Sequence, residues 1–193
     1  MMFEFDEGGG GSKGPFISWH VKAREDGEAK AKSFSMKDGD ERIDITDKFK
    51  KGVVFDIDNM KTGWSLFGQN GSDWRWNQTK ARFAPKPDED DDWKRGVSIP
   101  IALSQKDTAL WQQAGAGTWI AITRLSKLLH DRDGDKLPEI KMTGTFPEKF
   151  NGGGSTVCTQ FEVAKWVDRP DCLNGSDESM ADLADDGDDD DEF

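Results

Sequence analysis

The sequence predicts a mainly β domain: a small barrel of short strands, with one helix inserted and a tail at each end. Three observations carry this. Apolar and polar residues alternate with a period of two in stretch after stretch. Turn-forming groups such as Glu25-Asp26-Gly27 and Asp38-Gly39-Asp40 separate those stretches. Only one long segment, about 105–130, carries apolar residues at helical spacing.

Residues 1–14 read as a flexible leader, because Gly8 to Gly11 followed by Ser12 cannot build a core. Residues 15–24 form the first strand, with Ile17, Trp19 and Val21 on one face and His20, Lys22 and Arg24 on the other. A second extended piece at 31–37 closes a hairpin, and Ile43 and Ile45 mark a third. Asp44 to Lys51 holds a short helical turn with Thr46 as a candidate N-cap. Val53, Phe55 and Ile57 then alternate in a strand that leads into an aromatic stretch at 61–84.

Residues 85–95 form a loop, since two prolines and the acidic run Asp88 to Asp92 cannot make a central strand; Trp93 anchors its end. Val97, Ile99, Ile101 and Leu103 alternate in the next strand, which Pro100 marks as edge-like or bulged. Ser104 caps the expected helix, whose face is Trp111, Gly115, Thr118, Ile122, Leu125 and Leu129; Gly115 and Gly117 weaken its middle and allow two helices. Leu137 to Thr145 and Thr156 to Val167 are the last strands, joined by a glycine-rich loop. Short strands, glycine turns and one helix make a five-stranded OB-type barrel the natural candidate over 15–170.

The aromatic stretch is the chemically distinctive one. It holds Trp64, Phe67, Trp74 and Trp76 among Lys61, Arg75, Lys80 and Arg82. Trp74 and Trp76 share one face of a strand and Arg75 takes the other. Exposed rings beside cations are what a single-stranded nucleic acid needs: bases stack on the rings and phosphates meet the charges. The competing reading is that the rings are core, as aromatics in strands often are.

The net charge of −12 looks unfavourable for a polyanion, but its distribution matters more. Residues 171–193 contain 11 acids and no Lys or Arg, so the remaining 27 of 38 acids face 26 bases. The body is nearly neutral and an acidic tail, expected to be disordered, dominates the total. That tail ends Asp188, Asp189, Asp190, Asp191, Glu192, Phe193. A terminal aromatic carboxylate after a run of acids suits a basic, apolar pocket on a partner protein. The same tail can compete with nucleic acid for the protein's own cations.

Enzymatic signals are weak. The two histidines, His20 and His130, lie far apart, and no nucleophile elbow, zinc helix or phosphate loop is present. Asp131, Asp133 and Asp135 imitate a calcium loop, but Gly134 comes two places early and Met142 stands where an acid is needed. Asp56 and Asp58 share a strand face and read as surface residues flanking a turn; a metal-dependent nuclease built on them is the weakest option. Cys158 and Cys172 read as reduced thiols of an intracellular protein, with a disulfide between them as the alternative. No apolar run approaches the roughly 20 residues of a membrane helix, and no cofactor or metal is expected.

The segments 14–23, 52–64, 74–77, 136–147 and 161–170, together with the acidic tail and its terminal Phe193, resemble those of phage-encoded single-stranded DNA-binding proteins. The tail departs from the bacterial pattern in lacking a proline before the terminal Phe. The resemblance implies an OB fold that binds single strands without sequence preference, in DNA replication or recombination in the host cytoplasm. The tail would then recruit replication and recombination proteins. On this expectation Trp64, Phe67, Trp74 and Trp76 stack bases, and Lys22, Arg24, Lys61, Arg75, Lys80 and Arg82 meet phosphates, with Arg75 the weakest of them. Trp19 and Trp166 belong to the core. The oligomeric state, monomer or dimer, stays open. The alternative is an acidic β-barrel adaptor that mimics DNA and binds proteins.

Overall fold

A computed structural model describes residues 14–68, 71–79 and 83–174. The protein is mainly β. Among the described residues ten strands form one sheet that curls into a half-barrel, with a helix laid against it. The strands are β1 (Phe16–His20), β2 (Ser33–Asp38), β3 (Glu41–Asp44), β4 (Val53–Phe55), β5 (Lys61–Gly68), β6 (Gly71–Trp76), β7 (Lys94–Ala102), β8 (Thr108–Ala114), β9 (Leu137–Lys149) and β10 (Ser155–Val167). Along the main path their order is β10-β9-β4-β7-β8-β1-β2-β3. All the pairings are antiparallel except a short parallel contact between β1 and β8.

Strand β7 organises the sheet. One edge pairs with β8 along its length. The other edge is shared: its first half pairs with β5, its last two residues with β4. The β5–β6 hairpin therefore branches from the main path at the start of β7. The expected five-stranded barrel is not what the described residues form: ten strands pair in one curled sheet, and β8 lies where a helix was expected.

The core fills the concave side. Val97, Ile99 and Ile101 of β7 pack there with Ile17, Phe34, Phe49, Phe55, Trp111 and Phe161. Phe34 and Phe49 stack at 3.8 Å between ring centres, and Trp111 meets both edge-on. Trp19 is buried as expected, whereas Trp166 is only half-buried.

The helix expected over 105–130 is half that length. Residues 108–114 are strand β8, and helix α2 spans Ala116–Leu128, followed by a short 3-10 turn at Leu129–Asp131. Ser104 caps a tight turn rather than a helix: its Oγ accepts hydrogen bonds from the amides of Lys106 and Asp107. Ala109 and Trp111 are buried and their neighbours less so, a period of two that the helical template absorbed because Trp111 and Gly115 stand four apart. Gly115 has φ +128°, which turns the chain from strand into helix. Thr118, Ala121, Ile122 and Leu125 form the buried stripe of α2.

Helix α1 (Thr46–Lys51) lies within the expected range, but Thr46 is its first residue rather than its cap; Ile45 holds the cap position, and the Asp44 carboxylate accepts the Thr46 amide at 2.9 Å. Hydrogen bonding from Thr46, its side chain first and its amide less, holds the Asp44 carboxyl below its ordinary value against the opposing effect of burial. The Thr46 hydroxyl accepts the Phe34 amide instead.

Asp56 is not a surface residue. It is fully buried, and the Arg169 guanidinium grips both its oxygens at 2.6 and 2.9 Å. Asp58 is held by Arg132 at 2.7 and 3.0 Å and by Arg169 at 3.1 Å. The Arg169 pairs fasten the segment after β4 to the segment after β10, and the Arg132 pair ties it to the turn before β9. Leu173, in the last described turn, then packs on Ala102 and Leu137. Cys158 and Cys172 are both free thiols. Among the described residues no helix is long and apolar enough to cross a membrane.

Candidate nucleic-acid interface

The β5–β6 hairpin and the adjoining half of β7 expose two different faces. Residues directly opposed in antiparallel strands share a face. The register aligns Trp74 with Ser65 and Lys94 in one row, and Trp76 with Gly63, Gly96 and Ala114 in the next. A third row joins Lys61, Ser98 and Gln112, and Phe67 opposes Ser72 near the hairpin tip. Since Val97 and Ile99 point into the core, these rows lie on the convex face.

The two indoles of β6 stack on each other, with ring centres 4.7 Å apart and planes 13° from parallel. Gly96 makes the seat beneath Trp74, and Gly63 lets the β5 and β6 backbones approach closely. A Cβ on Gly96 would stand 2.5 Å from Cζ3 of Trp74 and 2.9 Å from its Cη2. A Cβ on Gly63 would collide with the carbonyl oxygen of Arg75. Both tryptophans are half-buried. Phe67 is 60% exposed. Lys61 and Lys94 are exposed and, among the described residues, neither has an acidic partner. From Lys61 to Phe67 the strand runs roughly 20 Å at its usual rise. The result is an aromatic shelf with a cation on either side.

The concave face of the same strands reads Arg75, Trp64, Arg95 across β6, β5 and β7. Trp64 is 7% exposed, its Nε1 donates to the Ala84 carbonyl at 3.0 Å, and Phe83 packs on it edge-to-face. It is enclosed, so of the four expected stacking residues it alone offers no open ring. Arg75 lies 4.6 Å over the Trp93 ring and donates to both Glu89 oxygens at 2.9 and 3.1 Å. Its guanidinium holds the Glu89 carboxyl below the ordinary value. Arg75 therefore belongs to the structure of the acidic loop and points away from the Trp74–Trp76 shelf.

Lys22 and Arg24 lie beyond the end of β1, and β8 and β7 intervene between that strand and β5. Lys22 is exposed. Arg24 is engaged by Asp26 at 2.6 Å, and this contact draws the Asp26 carboxyl down to about 2. Lys80, Arg82 and the tail residues Asp188 to Phe193 lie outside the described residues, as does the leader through residue 13.

The sequence reading passed over Lys94, Arg95 and Gly96. The signal was there: Lys94-Arg95-Gly96 ends the acidic loop and begins an alternating strand, so the two cations must fall on opposite faces. Asp56 and Asp58, by contrast, have carboxylates already engaged by guanidinium groups.

No protein-family model, no curated protein and no solved structure matches this chain.

Proposed function

We propose that this chain binds single-stranded DNA without sequence preference, in phage DNA replication or recombination, and performs no catalysis itself. The observation that carries the reading is the Trp74–Trp76 stack, with Trp74 seated on Gly96 and with Lys61 and Lys94 beside it, neither paired with an acid among the described residues. Each base stacked on an open ring contributes about 1–3 kcal/mol, and every base has a face to offer. Cations beside the rings neutralise phosphates and make affinity fall with salt. In this reading the curled sheet is an elaborated OB-type barrel, and the hairpin β5–β6 supplies its binding face. Phe67 extends the shelf at the hairpin tip, and Lys80 and Arg82 add charge from the segment after β6. The acidic tail, ending at Phe193, recruits replication and recombination proteins and competes with DNA for the basic residues. The site of action is the host cytoplasm.

Titration with oligo(dT) at low salt, followed by tryptophan fluorescence, tests the reading. Quenching that saturates, and that largely disappears in a Trp74→Ala/Trp76→Ala double variant, is expected. Absence of both quenching and a gel shift at low salt would end it.

The net charge of −12 favours a second reading, an acidic adaptor that mimics DNA and binds proteins. Removal of residues 171–193 separates the two. A DNA binder keeps or gains affinity for oligo(dT), whereas an adaptor loses its protein partner and binds no DNA in either form.

A further inference from the structure

Seven arginines are described, and six of them stand in ion pairs: Arg24, Arg42, Arg75, Arg124, Arg132 and Arg169. Arg95 has no acidic partner among the described residues. Its guanidinium carbon lies instead 5.3 Å from the centre of the Phe83 ring and 5.6 Å from the centres of Trp64 and Trp119. The residue is nevertheless exposed. A guanidinium beside three rings is attracted to them and restrained, while its free side and its edge donors stay open to a ligand. A planar cation of this kind accepts a nucleobase by stacking and bonds a phosphate through its edge.

Position adds to the chemistry. Lys94 and Arg95 are consecutive, about 3.8 Å apart at Cα, and lie on opposite faces at the start of β7. The Gly115 amide bonds the Arg95 carbonyl at 2.9 Å, and Gly96 pairs with Ala114, so β8 also ends here. A strand lying on the Trp74–Trp76 shelf reaches Lys94 and can turn round the ends of β7 and β8 to Arg95.

We propose that Arg95, backed by Phe83 and Trp119, is a second nucleotide-binding position for a DNA single strand that bends round the start of β7. This rests on the single-strand reading above. One base stacks on the outer side of the guanidinium, and the neighbouring phosphate takes its edge donors.

The test uses the full chain and oligo(dT). Arg95→Gln is expected to weaken binding about ten-fold, a loss within the range of one stacked base. It should also flatten the dependence of log affinity on log salt by about 0.7, one phosphate contact on a single strand. Arg95→Lys should keep the salt slope but recover only part of the affinity, because an ammonium cannot stack. Photocrosslinking of the wild-type chain to an oligonucleotide carrying 5-iodouracil should label Phe83 or Trp119 as well as Trp74 or Trp76. This arm does not depend on a variant folding. Crosslinks confined to Trp74 and Trp76 overturn the proposal. So does an Arg95→Gln variant with wild-type affinity and slope, in a protein that Trp74→Ala still weakens. A wild-type chain that binds no oligonucleotide removes the single-strand reading itself, and the second position with it.

Discussion

The Trp74 indole rests on Gly96: a Cβ there would come within 2.5 Å of the ring, although the two residues sit on strands separated by β5. The shelf thus depends on a missing side chain. Gly96→Ala should fold, since this glycine is not in the left-handed region, yet it must push the ring away. Oligo(dT) affinity is expected to fall several-fold, with a stability loss of about 1–3 kcal/mol from overpacking. Fluorescence titration and urea unfolding measure the two effects. Unchanged affinity would mean that the Trp74 ring does not need this seat.

The tryptophans should divide by face. Trp74→Ala and Trp76→Ala are expected to cost about 1–3 kcal/mol of binding each, with small effects on stability. Trp64→Ala should cost about 3–5 kcal/mol of stability, because it empties a buried site and frees the Ala84 carbonyl. A more conservative Trp64→Phe should bind oligo(dT) normally. Strong loss of binding in folded Trp64→Phe, with none in Trp74→Ala, would reverse the assignment.

Salt dependence should distinguish free cations from engaged ones. Lys61→Gln and Lys94→Gln should each lower the salt slope by about 0.7. Arg24→Gln should leave it unchanged, since Asp26 already occupies that guanidinium. Equal slopes in all three variants would count against the two lysines as phosphate contacts.

Arg169 compensates a carboxylate with no access to water. Arg169→Met should leave Asp56 buried with only Asn59 as a partner and destabilise the protein by about 3–5 kcal/mol. The double change Asp56→Asn/Arg169→Met should recover part of that loss. Urea unfolding of both variants checks it, and a stable single variant would show that the pair contributes little.

His20 carries a pH dependence. Its ring nitrogen bonds the Ser35 hydroxyl at 2.7 Å, and Arg42 bonds the same oxygen at 2.8 Å. Burial, then the charges of Arg42 and Arg24, lower its pKa from 6.5, and Asp26 opposes them weakly. The unfolded chain therefore takes up the proton first as pH falls. Stability from this group is complete well above 6.5 and is lost as pH drops through 6.5 towards the lowered value. Melting temperature should decline between pH 7.5 and 5.5, and less so in His20→Gln. Identical declines in both proteins would exclude His20 as the source.

Much of the local structure was legible. Turn groups placed the early strands within a few residues, and Thr46 marked the start of α1. The error over 105–115 arose because Trp111 and Gly115, four apart, also fit a helical stripe once Thr118 and Ile122 follow. Only pairing with β7 selects the period of two there. Asp56 misled for a similar reason: its ion-pair partner, Arg169, is 113 residues away.

The site divides along the same line. Alternation within one strand determined that Trp74 and Trp76 share a face and that Arg75 opposes them, because pleating is a property of consecutive residues. Composition determined that the surplus acidity is confined to the tail. Tertiary structure decided which face turns outward, that Trp64 opposes Arg75 and is enclosed, and that Gly96 forms the seat of Trp74. Those depend on the register between strands and on which side of the sheet the core covers, and neither is a property of any single stretch of chain.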